Sequence, residues 1–149
     1  MRRLIVLTGL VLLVAACGAK KDSAAPVGSA TLALNHTKIP LGSPVEVTYR
    51  FELAPGAQLG KEYWVMAHFL DANDELMWTD DHKPPVPSTQ WKPGTPVEYK
   101  RTMFVPVYPY IGEATVTVGL YLPGTNERVP LSGDLVGQRS YRVAKLQLQ

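Results

Sequence analysis

The sequence predicts an all-β fold: a single antiparallel two-layer sandwich of the immunoglobulin or fibronectin III kind, with about seven strands. Three observations lead there. Apolar and polar residues alternate with a period of two in several stretches, turn-forming residues recur at fairly regular spacing, and no segment carries a clear helical period. With 149 residues, 46% hydrophobic and 19% charged, the chain can bury one core and leaves little room for a second. A small closed barrel is the competing architecture. The chain has one cysteine, so the Cys-Trp-Cys core of antibody domains is missing and the likeness is architectural.

Taken in order, residues 31–34 form the first short apolar strand. In the next, Val45, Val47, Tyr49, Phe51 and Leu53 line one face while Glu46, Thr48, Arg50 and Glu52 line the other, the period of a half-buried strand. Residues 62–70 are apolar on both faces, with Trp64, Met66 and Leu70 set against Val65, Ala67 and Phe69, as in a central strand covered on both sides. Asp71-Ala72-Asn73-Asp74 reads as a turn, because Asp and Asn tolerate left-handed geometry and bond their own backbone; residues 75–79 complete a hairpin. Residues 80–95 hold four prolines, which cannot donate to a ladder, so they form a long ordered loop or sheet edge. Strands resume at 96–107 and at 113–122, where Ala114, Val116, Val118, Leu120 and Leu122 alternate with Thr115, Thr117, Gly119 and Tyr121. Pro123-Gly124-Thr125-Asn126 is a turn, Glu127 opens a short strand, and residues 139–148 form the last strand.

Residues 1–17 read MRRLIVLTGLVLLVAAC: two arginines, an apolar run and then small residues, the tripartite form of a secretory signal, with a run too short to stay in a bilayer as a helix. Its end, Val14-Ala15-Ala16-Cys17, resembles the lipobox of bacterial lipoproteins, and the sole cysteine falls where a lipobox requires it. The resemblance implies a diacylglyceryl thioether on Cys17, cleavage before it and acylation of the new amine. Several acyl chains hold a protein on a membrane far more firmly than one. Gly18 follows the cysteine in place of the Asp associated with inner-membrane retention, which implies the outer membrane in a Gram-negative cell. The expected organisation is therefore a signal peptide over 1–16, a lipidated cysteine and flexible tether over 17–30 and a sandwich over 31–149, lipid-anchored in the cell envelope.

A formal charge of +2 falls to zero once Arg2 and Arg3 are removed with the signal. A neutral body has no electrostatic footprint for nucleic acid and no polybasic patch for anionic lipid. No Gly-x-Ser-x-Gly elbow, His-Glu-x-x-His motif or Gly-x-x-x-x-Gly-Lys loop is present, so no enzyme activity, catalytic residue or cofactor is expected. Asp80, Asp81 and His82, with His68, Asp71 and Asp74 upstream, are the densest set of potential ligands. A calcium loop starting at Asp71 fails, however, because it puts Leu76 where Gly is needed and His82 where Glu is needed, so no metal is expected. Trp78 and Trp91 flank the proline-rich loop, Tyr108 and Tyr110 flank Pro109, and Tyr121 opposes the apolar row of its strand. Flat rings beside prolines can make a platform for a sugar or an extended peptide. The candidate binding surface is thus Trp78, Asp80, Asp81, His82, Trp91, Tyr108 and Tyr110, on loops carried by a rigid scaffold.

The stretches His68-Phe69-Leu70-Asp71, Trp91-Lys92-Pro93-Gly94, Val118-Gly119-Leu120-Tyr121-Leu122-Pro123 and Arg128-Val129-Pro130-Leu131 resemble accessory β-sandwich domains of bacterial envelope proteins. In those domains a Gly-Leu-Tyr-x-Pro strand and turn precedes an Arg-x-Pro-Leu strand. The resemblance implies the sandwich and transfers no catalytic residue. The expected function is a noncatalytic binding or assembly module with an envelope protein partner; a carbohydrate-binding module for envelope or extracellular glycan is the alternative.

Overall fold

Alternation in the sequence becomes the core. The computed structural model describes residues 22–149, so the signal segment, the lipobox and Cys17 lie outside the described residues. In β3 (Pro44–Leu53), Val45, Val47, Tyr49, Phe51 and Leu53 are all buried while their neighbours face solvent. They pack against Val65, Ala67 and Phe69 of β4 (Trp64–Leu70) and Ala114, Val116, Val118 and Leu120 of β7 (Gly112–Tyr121). Each such side chain contributes about 1.5–3 kcal/mol by leaving water, which makes this row the main source of cohesion.

The remaining strands are β1 (Gly28–Leu34), β2 (Lys38–Ile39), β5 (Leu76–Thr79), β6 (Val97–Phe104), β8 (Leu131–Ser132), β9 (Asp134–Gly137) and β10 (Ser140–Leu148). One sheet runs β6-β3-β1-β8; the other runs β2-β10-β7-β4-β5, with β9 also paired to β10. The two sheets face each other across the buried row, giving an all-β two-layer sandwich.

Several expectations are corrected. The sheets are mixed, not purely antiparallel, because β8 lies parallel to β1 and β2 parallel to β10. Glu127 opens no strand; Arg128 makes an isolated bridge to Tyr121, and the next strand starts at Leu131. The expected tether overlaps the body, since β1 begins at Gly28, Val27 N–H donates to the Pro130 carbonyl, and Asp22 is bound to Arg139. Extended β6 stops at Phe104 because Pro106 cannot continue a ladder.

β7, which its sequence reads as apolar on one face only, is covered on both: outer-facing Thr115, Thr117 and Gly119 are buried as well as the apolar row. Part of that cover is the hairpin of β9 and β10, whose two turn residues, Gln138 and Arg139, have φ of 48° and 54°. Paired positive φ values make the turn that matches strand twist, normally built from Asn and Gly. The turn sits so close to β7 that a Cβ on Gly119 would lie 2.5 Å from the Arg139 carbonyl oxygen and 2.8 Å from Met66 Cε.

Candidate functional site

The loop over 80–95 joins the edge strand of one sheet to the edge strand of the other, and its Asp80, His82 and Trp91 side chains point inward. The Asp80 carboxylate accepts from Tyr49 Oη at 2.8 Å and from Arg101 Nε and Nη2 at 3.1 and 2.9 Å. His82 Nδ1 lies 2.6 Å from the Asp80 carbonyl, and Nε2 lies 2.7 Å from Tyr99 Oη. A carbonyl only accepts, so Nδ1 carries the proton and Nε2 accepts from the tyrosine. Burial pushes the His82 imidazole below its ordinary range. Burial first, and then the Asp80 charge, raise the phenols of Tyr49 and Tyr99, while the Asp80 hydrogen bond raises Arg101. All these groups are held in the protonation state that keeps the network closed.

Trp91 is 5% exposed, donates its indole N–H to the Val86 carbonyl at 2.9 Å and lies 5.1 Å from the Phe51 ring. Trp78 stacks on Phe69 at 4.8 Å. Trp78, Asp80, His82 and Trp91 therefore pin the loop over the open side of the sandwich, which corrects the expectation that they form a contact surface. Asp81 points the other way, accepting from Ala67 N–H at 3.0 Å with His68 Nε2 3.5 Å away. Among the described residues no group of three His, Cys, Asp or Glu side chains is placed to hold a metal.

Tyr108 and Tyr110 belong to a different feature. The segment after β6 forms a tip on which Phe104, Val107 and Ile111 are 69%, 83% and 70% exposed. Its backbone is fixed nonetheless: Val105 is buried, its N–H donates to the Ser43 carbonyl and its own carbonyl accepts from Gly42 N–H. Tyr110 Oη donates to the Glu113 carbonyl at 2.7 Å and accepts from Ala72 N–H at 3.3 Å. Apolar side chains so exposed on a braced frame are held out of the core by construction, and sequence had marked only the two tyrosines among them.

At the opposite end of the sandwich lies an open pocket of about 470 Å³ lined by Asn126, Arg128, Gln138 and Arg139. Arg128 Nη1 is 2.8 Å from Met66 Sδ, and its guanidinium lies 5.7 Å from the centre of the Tyr121 ring. Tyr121 pairs in register with Trp64, which is 37% exposed. Arg139 donates from Nε to Asp22 at 2.8 Å and from Nη1 to the Arg128 carbonyl at 2.7 Å, bracing one wall against the other. Asp22 also accepts from Ala24 N–H and Tyr141 Oη, and these bonds hold its carboxyl below the usual range, the one from Ala24 most. A shallower groove of about 280 Å³, sharing Gln138, continues past Met66, His68, Leu70, Thr117 and Ser140.

Sequence reasoning missed this pocket as a site, although three of its parts were in the motifs it singled out. Gly119 and Tyr121 lie on β7, and Arg128, which lines the pocket, is bridged to Tyr121. Arg139 gave no signal, because nothing in Gly137-Gln138-Arg139-Ser140 marks a left-handed turn.

No protein-family model matches the chain, and no curated protein matches it in sequence. Several solved structures resemble it, two of them as follows. A Niemann-Pick type C2 protein from Japanese carpenter ant superposes with a TM-score of 0.53 at 15% identity, covering 89% of this chain and 96% of that one. The Pseudomonas fluorescens alkylpurine DNA glycosylase AlkC, bound to DNA containing an abasic site analog, gives 0.51 at 16% identity over 83% of this chain. What they share with the chain is the fold. The chain spans 31% of the glycosylase's length.

Proposed function

We propose that the chain is a lipid-anchored envelope protein whose immunoglobulin-like sandwich is a noncatalytic binding or assembly module, and that it meets an envelope protein partner through the tip over 104–111. The observation that carries this reading is the tip itself: three large apolar side chains exposed within one eight-residue segment whose backbone is braced by Ser43, Gly42, Glu113 and Ala72. Water-exposed apolar clusters of this kind mark interaction surfaces. A rigid frame lowers the ordering cost of binding. The lipobox supports the anchor, with the outer membrane favoured over the inner. Asp22, the start of the described chain, lies at the far end from the tip. The ten residues of β3 at about 3.3 Å each set roughly 33 Å between the two ends, so the tip projects away from an anchor at Cys17.

Trp64 and Tyr121, paired in register and partly exposed, favour the carbohydrate-binding alternative as a second reading. Cross-linking in intact cells, followed by mass spectrometry of the purified lipoprotein, tests both. One recurrent protein adduct mapped to 104–111 supports the partner reading. Absence of any adduct there, together with tryptophan fluorescence that responds to oligosaccharides, overturns it in favour of glycan.

A further inference from the structure

We infer that the pocket formed by Asn126, Arg128, Gln138 and Arg139 is an anion site for a phosphate ester. Five arginines lie among the described residues, and four have acidic partners: Arg50 with Glu52 and Glu98, Arg101 with Asp80, Arg139 with Asp22, and Arg142 with Asp74 and Asp134. Arg128 has none among the described residues. It is half-buried, held over Met66 and Tyr121, and lines the pocket. A guanidinium that is partly desolvated and left without a carboxylate is matched best by an oxyanion that accepts two parallel N–H bonds, as a phosphate ester can. The amides of Asn126 and Gln138 on the same wall can add neutral donors.

The wall is built to stay in place. Arg139 sits at φ of 54° and ties Asp22, the hairpin turn and the Arg128 carbonyl together, while Gly119 lets that turn lie directly on β7. Non-glycine residues rarely adopt such φ values unless the surroundings enforce them. A volume of about 470 Å³ exceeds what a bare phosphate fills and leaves room for its organic substituent. The small formal net charge of the chain, +2, does not argue against this, since it is one unpaired charge in a formed pocket that acts and not a polybasic surface.

Two sources supply this chemistry: a phospholipid headgroup or a soluble phosphate ester. The headgroup source rests on the lipoprotein reading. Asp22 is docked beside the pocket and stands five positions after Cys17, and a chain of that length spans at most roughly 18 Å, so a lipidated cysteine keeps the pocket at the membrane surface.

The test uses the chain purified from membranes, whose intact mass reports separately whether Cys17 carries acyl chains. In nonionic detergent micelles, the Arg Nε–H resonances and the side-chain amide resonances of Asn126 and Gln138 are followed while inorganic phosphate is added. The chain is then moved into vesicles of digalactosyldiacylglycerol with or without phosphatidylglycerol. The expected result is a saturable shift of the Arg128, Asn126 and Gln138 resonances in the phosphate titration, with half-saturation, read from the two amides that every variant keeps, raised at least tenfold by Arg128→Gln and less by Arg128→Lys. If the headgroup is the source, phosphatidylglycerol vesicles produce the shift with no phosphate added; if they do not, the ester is soluble. No saturable shift from either source, or a wild-type response in Arg128→Gln with its spectrum otherwise intact, overturns the proposal whatever the mass of Cys17 shows.

Discussion

Asp80 decides whether the proline-rich loop is a closure or a contact. Its carboxylate is 11% exposed and takes three hydrogen bonds from Tyr49 and Arg101, so its loss strands a buried phenol and a half-buried guanidinium. Asp80→Ala should lower unfolding free energy by about 2 kcal/mol in urea denaturation, from the groups left without partners. His82 adds a pH dependence. Its folded value lies below the ordinary 6.5, so the unfolded chain binds the proton more readily. Stability from this group is complete above the unfolded value, falls as pH drops through it and levels off below the folded value. Urea midpoints measured from neutral to mildly acidic pH should show that decline, and His82→Gln should remove this part of it.

The elements differ in how legible they were. β3 and β7 were readable because a period of two leaves one face apolar; that the outer face of β7 is covered as well was not, because its small and hydroxylated residues read as the polar face of an alternating strand. Short β2, β8 and β9 were not, since two to four residues carry no period, and nothing local encodes their parallel or hairpin pairing. The candidate surface was misjudged for a related reason. Prolines exclude a ladder but do not say which way the intervening side chains turn, and Asp80, His82 and Trp91 turn inward. At this scale Gly119 is the sensitive position. Gly119→Ala puts a methyl into the Arg139 carbonyl and Met66, so it should cost about 1–3 kcal/mol by overpacking, read as a lower thermal midpoint. Since the displaced turn is also a wall of the pocket, the same variant should weaken the phosphate-dependent shift of Arg128.

Across the whole molecule the two ends have different characters. One carries Asp22, the braced pocket and the arginine without an acidic partner among the described residues; the other carries the apolar tip and nothing charged among its three most exposed side chains. On the reading proposed above, the sandwich is a spacer that holds one end at an anchor and presents the other. The tip is therefore where the binding reading stands or falls. The most direct measurement places a photo-cross-linking side chain at position 107 in intact cells, with position 98 on the charged edge strand β6 as the reference, and repeats it in the presence of Ile111→Asp. The account predicts one recurrent protein adduct from position 107, none from position 98, and loss of the first on Ile111→Asp with stability changed by less than about 0.5 kcal/mol, as for other exposed substitutions. Equal adducts from both positions, or an adduct from 107 indifferent to Ile111→Asp, would contradict it.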